Sequence, residues 1–167
     1  MSGPAFQRFG IGYDVHQLVE GRPMIIGGVR IEHSAGPSGH SDADVLAHAI
    51  TDALLGAAAD GDIGSHFPDT DPRWKGADSI ELLAAATARV AELGYTPHNV
   101  DATVNLERPK LAPYRDAMRE RLAQALGIPV SSVSVKATRG EGLGFVGREE
   151  GISAYAVVSI VPAEAAQ

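Results

Sequence analysis

Asp14 and His16 stand two residues apart in a segment, Phe9 to Val15, that reads as a β-strand, so both side chains leave the same face of any sheet it joins. His48 lies one turn into a helix that opens behind the polar run His40-Ser41-Asp42-Ala43-Asp44. A carboxylate and two imidazoles make a three-ligand set, which leaves the fourth position of a tetrahedral metal open to substrate. On that reading the fold would bring this strand and this helix together around one cation; otherwise His48 is a hydrogen-bonded core or surface residue. An isolated Asp-x-His triplet is common by chance, and the helix supplies the context. Asp44, His48 and Asp52 are spaced i, i+4, i+8 on a helix that is otherwise largely Ala, Leu, Ile and Val from Val45 to Ala59. Polar groups on such a helix are costly unless paired or metal-bound. One of the two carboxylates, Asp44 or Asp52, is expected to hold the second nitrogen of His48.

The chain is long enough, at 167 residues, for one domain that buries roughly 70% of its unfolded surface. It has no cysteine, which excludes a thiol nucleophile, a thiolate zinc site and any disulfide. No apolar run approaches the length of a membrane span, and Met1-Ser2-Gly3-Pro4-Ala5 lacks a signal-peptide pattern, so a cytoplasmic location is expected and no membrane partner. The net charge of −7, without a Lys/Arg block, argues against nucleic acid. That charge repels anionic substrates as well, and a bound divalent cation would reverse the local sign.

Strands are predicted at Phe9–Val15, Met24–Ile26, Val29–Ile31, Val100–Leu106, Val133–Thr138 and Ile152–Val161, with Gly27-Gly28 as a two-residue hairpin turn. Helices are predicted at Asp44–Ala59, Ile80–Leu93 and Tyr114–Leu126; the second opens with Asp78 and Glu81 at capping-box spacing, and the last two end at Gly94 and Gly127. The expected fold is α+β: a single sheet with helices on one face, a ferredoxin-like layer. Asp60 to Lys75 is irregular, either a solvated turn-rich loop or a functional segment.

Two further stretches carry chemistry. Lys136-Ala137-Thr138-Arg139-Gly140-Glu141-Gly142-Leu143-Gly144-Phe145 ends a strand in a glycine-rich bend. It is either a flexible hairpin loop or a cradle in which Thr138 and Arg139 donate to phosphate and Glu141 binds a hard cation. Leu106-Glu107-Arg108-Pro109-Lys110-Leu111-Ala112-Pro113 is a stiff strand-to-helix connection suited to reading a base edge. Arg148 with Glu149 and Glu150 reads as a salt-bridged surface turn. Gly10-Ile11-Gly12 lacks the third glycine and following helix of a dinucleotide fold, and Ser41 lacks the glycines of a nucleophile elbow.

Taken in order, Asp14-Val15-His16, Ile25-Ile26-Gly27-Gly28-Val29, His40-Ser41-Asp42-Ala43-Asp44-Val45, Thr51-Asp52-Ala53-Leu54-Leu55-Gly56, Gly61-Asp62-Ile63-Gly64 and Phe67-Pro68-Asp69-Thr70-Asp71 resemble the 2-C-methyl-D-erythritol 2,4-cyclodiphosphate synthase family. So do Arg108-Pro109-Lys110, Lys136-Ala137-Thr138, Gly142-Leu143-Gly144-Phe145, Gly147-Arg148 and Glu150-Gly151. The resemblance implies one synthase domain over 1–167, with a core of about 8–161. It implies a bacterial, cytoplasmic phosphorus-oxygen lyase of the non-mevalonate isoprenoid pathway. Such an enzyme cyclises 4-diphosphocytidyl-2-C-methyl-D-erythritol 2-phosphate and releases CMP. It implies a homotrimer with active sites between subunits.

By the same resemblance, Asp14, His16 and His48 would ligate Zn²⁺, and Glu141 a second divalent ion, Mg²⁺ or Mn²⁺. Asp62, Ile63 and Gly64 would hold the ribose, and Leu106, Glu107, Arg108, Pro109, Lys110, Leu111 and Ala112 would read cytosine. His40 and Ser41, the loop Phe67, Pro68, Asp69, Thr70 and Asp71, and Thr138, Arg139, Gly140 and Glu141 would surround the phosphates, with His40 and Arg139 in catalytic positions. Phe145 and Arg148 would touch substrate or a central cavity. The chain departs from the family pattern where Arg139-Gly140 replaces a usual Thr-Thr and Glu149 a common glycine. An attacker and electrophile on one molecule need no nucleophilic side chain, and alignment alone supplies roughly 7–11 kcal/mol. A metal-dependent phosphohydrolase and a non-enzymatic metal- or nucleotide-binding module are the rival readings.

Overall fold

The computed structural model describes residues 6–166; Met1 to Ala5, read above for a signal peptide, lie outside the described residues. Strand β1 (Arg8–Glu20) is followed by a hairpin of β2 (Met24–Ile26) and β3 (Val29–Ile31), and by a short β4 (Ala35–Pro37). Helix α1 (Val45–Ala57), the single turn α2 (Ile63–His66) and helix α3 (Ser79–Glu92) lead to β5 (Tyr95–Asn105). Then come α4 (Arg115–Leu126), β6 (Val133–Thr138), the turn α5 (Gly144–Gly147) and β7 (Gly151–Pro162).

The five-stranded sheet has the order β4-β1-β7-β5-β6, and the hairpin β2-β3 stands apart from it. The α+β reading with helices on one face holds, but the ferredoxin-like layer does not. That layer runs β-α-β-β-α-β, whereas the long strands here follow β-α-β-α-β-β. Neighbouring β5 and β6 are parallel, from Val100↔Val133 to Asn105↔Thr138. Parallel neighbours need a crossover, which α4 supplies. The closing strand β7 then inserts between β1 and β5, antiparallel to both.

Period-two alternation divides β1 between two environments. Gly10, Gly12, Asp14 and His16 face the helices, while Phe9, Ile11, Tyr13 and Val15 are exposed on the opposite face. Tyr155 and Val157 of β7 lie beside them and are exposed too, with the Tyr13 and Tyr155 rings 4.8 Å apart. On the helix side, Leu46, Ile50 and Leu54 of α1 are buried together with Ile152, Ala154, Val158 and Ile160 of β7.

The glycines of β1 set how closely α1 approaches. A methyl on Gly10 would lie 1.9 Å from the Ala53 carbonyl oxygen, and one on Gly12 would lie 1.8 Å from that of Ala49. Helix backbone thus rests directly on strand backbone, which no side-chain-bearing residue permits. Asp44 fixes the end of the helix. As N-cap it accepts from Ala47 N at 3.0 Å and also from Gly27 N at 2.9 Å and Gly28 N at 2.7 Å, tying the β2-β3 turn to α1. Its carboxyl is fully buried, and burial pushes it up to about 6 against the pull of those three N–H groups.

Gly12→Ala is expected to lose at least about 3 kcal/mol of stability, because the obstacle is backbone that cannot rotate away. Urea denaturation checks this, and a loss below about 1 kcal/mol would contradict so close a contact.

Candidate metal centre

Asp14 and His16 project from β1 toward His48 on α1, and the three ligand atoms lie within 4.8 Å of one another. Asp14 Oδ2 is 2.8 Å from His16 Nε2 and 3.1 Å from His48 Nδ1, and these two nitrogens are 3.4 Å apart. Among the described residues this is the one group of three or more such side chains placed to hold an ion. The outer nitrogens support a metal at this point. His16 Nδ1–H donates to the Ser38 carbonyl at 2.9 Å. Ser79 Oγ–H donates to the Asp42 carboxylate, so the hydroxyl oxygen accepts from His48 Nε2–H at 2.8 Å. Each ring is left with its inward nitrogen for a cation, and one carboxylate with two imidazoles suits Zn²⁺ and its neighbours.

Asp44 and Asp52, expected to orient His48, serve elsewhere. Asp44 lies outside the helical repeat as its cap, and Asp52 Oδ1 accepts from Ile63 N at 2.7 Å, anchoring α2. His48 Nε2 instead meets Ser79 Oγ from α3, backed by Asp42, and Ser41 Oγ from the loop before α1. Sequence marks Ser79 only as the first residue after the helix cap Asp78; its partner depends on how α3 packs beside α1.

A cavity of about 420 Å³ opens beside the three ligands. It is lined by His16, His40, Ser41, His48, Ile63, Gly64, Phe67, Pro68 and Asp69, all predicted, and by Gly39, Trp74 and Leu82, which were not. The irregular stretch from Asp60 to Lys75 is ordered by its own contacts. Asp62 caps α2, accepting from Ser65 N at 2.8 Å. Asp71 caps the turn Pro72–Trp74 and pairs with Arg73, while its carbonyl lies 3.3 Å from His40 Nε2. The Trp74 and Phe67 rings meet edge-on at 5.2 Å. Thr70 and Asp71 do not line the cavity.

The remaining predicted residues gather elsewhere. Leu106, Pro109, Lys110, Leu111, Ala112, Thr138 and Arg139 line a second cavity of about 170 Å³ with Arg115. Glu107, Arg108, Pro109, Lys110 and Arg139 line an adjoining one of about 450 Å³ with His33 and Ser34. Gly140 N donates to Glu107 at 2.7 Å, joining the two predicted loops. Glu141 is exposed, 4.0 Å from Arg139. Arg148 pairs with Glu150, and Glu149 with Arg108, where the expected surface turn lies. The Phe145 ring lies over Gly151. One chain therefore carries two separate parts of the predicted site.

Burial alone would raise the Asp14 pKa, but hydrogen bonds from His16 and His48 outweigh it and hold the carboxyl at about 2. Burial likewise opposes a charged His16, yet Asp14 prevails and raises its pKa. With its folded pKa depressed, Asp14 contributes stability that is complete above the ordinary value of 3.8 and is lost as pH falls through about 2. Metal-free protein is expected to lose about 2 kcal/mol over that interval through this group. Asp14→Asn should remove that part of the acid slope in denaturant titrations; an unchanged slope would contradict the pairing.

Comparison with known proteins converges on one family. The YgbB family model matches residues 7–161. A 2-C-methyl-D-erythritol 2,4-cyclodiphosphate synthase of Salinibacter ruber is 64% identical over 153 residues, covering 92% of this chain and 98% of that protein. The protein of the same name from Burkholderia thailandensis is 60% identical over 159 residues, 95% of this chain and 98% of its own length. Among solved structures, a CDP-bound 2C-methyl-D-erythritol-2,4-cyclodiphosphate synthase superposes with a TM-score of 0.85 at 39% identity, covering 92% of this chain and all (100%) of that one. The bifunctional IspDF of Campylobacter jejuni superposes at 0.89 with 44% identity, over 93% of this chain and 42% of that longer chain. With its fold and nearly its full length in common with these proteins, the chain belongs to the YgbB family, alongside the 2-C-methyl-D-erythritol 2,4-cyclodiphosphate synthases.

Proposed function

We propose that this chain converts 4-diphosphocytidyl-2-C-methyl-D-erythritol 2-phosphate into 2-C-methyl-D-erythritol 2,4-cyclodiphosphate and CMP, a phosphorus-oxygen lyase step of non-mevalonate isoprenoid biosynthesis. The observation that carries this is the Asp14/His16/His48 cluster opening on a cavity of about 420 Å³, in a chain 64% identical to a synthase of that name. An oxygen of the 2-phosphate attacks the β-phosphorus, the new P–O bond closes the ring, and the bond to CMP breaks with its electrons leaving on the nucleotide.

Zn²⁺ on the triad and Mg²⁺ or Mn²⁺ at Glu141 would supply the positive charge that lets two anions meet in a protein of net charge −7. The chain's own work is to fold the substrate and exclude water. Asp62 to Gly64 would hold the ribose beside α2, and the Leu106–Ala112 loop would read the base through its backbone. His40, steadied by the Asp71 carbonyl, and Ser41 would donate to the phosphates. Arg139, in place of the usual threonine, would donate with a charge and a longer reach. The whole chain is read as one catalytic domain working in the cytoplasm; no helix among the described residues is long and apolar enough to cross a membrane.

We further infer a homotrimer. The exposed apolar face of Phe9, Ile11, Tyr13, Val15, Tyr155 and Val157 is larger than scattered surface hydrophobes require. The cavity beside the metal ligands and the two adjoining cavities at the Leu106–Ala112 loop are then parts of sites completed between subunits. Ile11→Asp is expected to give monomers in light scattering, with activity falling in parallel; a fully active monomer would refute the shared site.

The reaction itself is read by ³¹P NMR of purified protein with the cytidyl substrate, Zn²⁺ and Mg²⁺. CMP and a ring diphosphate are expected. Linear phosphates would mean a hydrolase, and no turnover a binding module. His48→Ala should lower zinc occupancy and rate together, the rate by about 100-fold or more.

A further inference from the structure

Ser79 is fully buried, yet it belongs to none of the sequence motifs and does not line the cavity beside the metal ligands. It is the first residue of α3, a helix that otherwise contributes apolar packing through Leu82, Leu83, Ala86 and Val90. Its hydroxyl bonds His48 Nε2 at 2.8 Å and the Asp42 carboxylate, with Ser41 Oγ more distant at 3.5 Å. The other Asp42 oxygen accepts from Ser79 N at 3.1 Å, so the carboxylate grips both the backbone and the side chain of one residue. Asp42 Oδ1 also accepts from Asp44 N at 3.1 Å, next to the helix cap. Both ends of this chain of bonds are thereby anchored.

The direction of the chain is fixed by its acidic end. A carboxylate only accepts, so the Ser79 O–H must point at Asp42 and the Ser79 oxygen must face His48 with a lone pair. That lone pair selects the imidazole tautomer with hydrogen on Nε2. The other nitrogen, Nδ1, lies 3.1 Å from Asp14 Oδ2, and a cation that displaces the proton shared there would meet its lone pair. Ser41 Oγ lies 3.1 Å from the same Nε2, the longer of its two contacts, accepts from Ala43 N at 3.1 Å, and has its O–H free to turn to Ser79 Oγ, 3.5 Å away, or to the open cavity.

We propose that Ser79 and Asp42 are positioning residues for the metal centre: a buried carboxylate–hydroxyl–imidazole relay that sets the tautomer and ring orientation of His48 and thereby the tightness of metal binding. The inference rests on the metal reading of Asp14, His16 and His48. It differs from the expected support by Asp44 or Asp52 because the decisive group arrives on α3, so packing of α3 against α1 feeds directly into ligand quality. Outer partners of this kind typically control metal affinity by about 10–100-fold.

The test compares wild type, Ser79→Ala, Ser79→Thr and Asp42→Asn, with zinc affinity measured by competition with a chromophoric chelator. The hydrogen bond of His48 Nε2–H is read by ¹⁵N NMR of the zinc-loaded protein. Ser79→Ala is expected to bind zinc at least about 10-fold more weakly and to lose the hydrogen-bonded Nε2–H signal of His48. Ser79→Thr keeps the hydroxyl and should restore both, while Asp42→Asn, which still accepts but without charge, should fall between. Wild-type affinity and Nε2–H signal in Ser79→Ala overturn the relay, as do equal losses in the Ala and Thr variants, which would mark Ser79 as packing alone. Wild type that binds no zinc would instead remove the metal reading beneath it, an outcome distinct from either.

Discussion

The backbone-to-backbone contact of β1 with α1 sets everything else in this molecule. Gly10 and Gly12 have no side chain to hold the helix away, and a methyl at either would fall inside a carbonyl of α1. Had those positions carried alanines, the helix would have to move outward or slide. His48 Nδ1 would then leave Asp14 Oδ2, now 3.1 Å away. Three side chains from two elements form one ligand set only while the elements hold a fixed distance, and here that distance is set by the absence of atoms. The cap Asp44 fixes the remaining freedom of α1 by binding the β2-β3 turn as well as its own helix.

Close packing alone does not make a metal centre, because imidazoles and a carboxylate within 4.8 Å can equally form a closed ion pair. The second nitrogens decide it. His16 and His48 each turn one nitrogen outward to an oxygen acceptor, the Ser38 carbonyl and the Ser79 hydroxyl, and leave the other for an incoming cation. The hydrogen bonds that depress Asp14 and raise His16 stand in for that cation: a proton shared between ring and carboxylate occupies the point a divalent ion would take. Asp14 stays ionised well below neutrality, so the carboxylate ligand is ready without a further cost of deprotonation.

Much of this was legible in the residue order, and the exceptions have a common cause. Local periodicity gave the hairpin at Gly27-Gly28, the three main helices and the facing of Asp14 and His16, since each depends on neighbours within a turn. The strand order was not legible. Inserting β7 between β1 and β5 depends on partners some fifty residues away or more, and the ferredoxin-like expectation failed there. The same limit hid Ser79, which looks like an ordinary residue at a helix start until α3 lies beside α1. It also misassigned Asp44 and Asp52, whose i, i+4, i+8 spacing assumes that Asp44 is helical when it is the cap. Gly10 and Gly12 were set aside as a failed nucleotide motif; their use is a distance between backbones, which spacing along a chain cannot express.

One strand thus serves two tasks that sequence alternation keeps apart. Even-numbered residues of β1 bring the helix and the ligands together, and odd-numbered ones, Phe9 to Val15, turn an apolar row to the other side. A slip of one residue in the pairing of β1 with β7 would exchange both sets at once, exposing the glycines and burying the large side chains against α1, where no room exists. The register Gly12↔Ala156 and Tyr13↔Tyr155 is therefore enforced from both faces. In the proposed trimer the apolar row is the surface that other subunits would cover. The geometry of the metal ligands and the geometry of assembly would then be read from one strand, and neither could drift without the other.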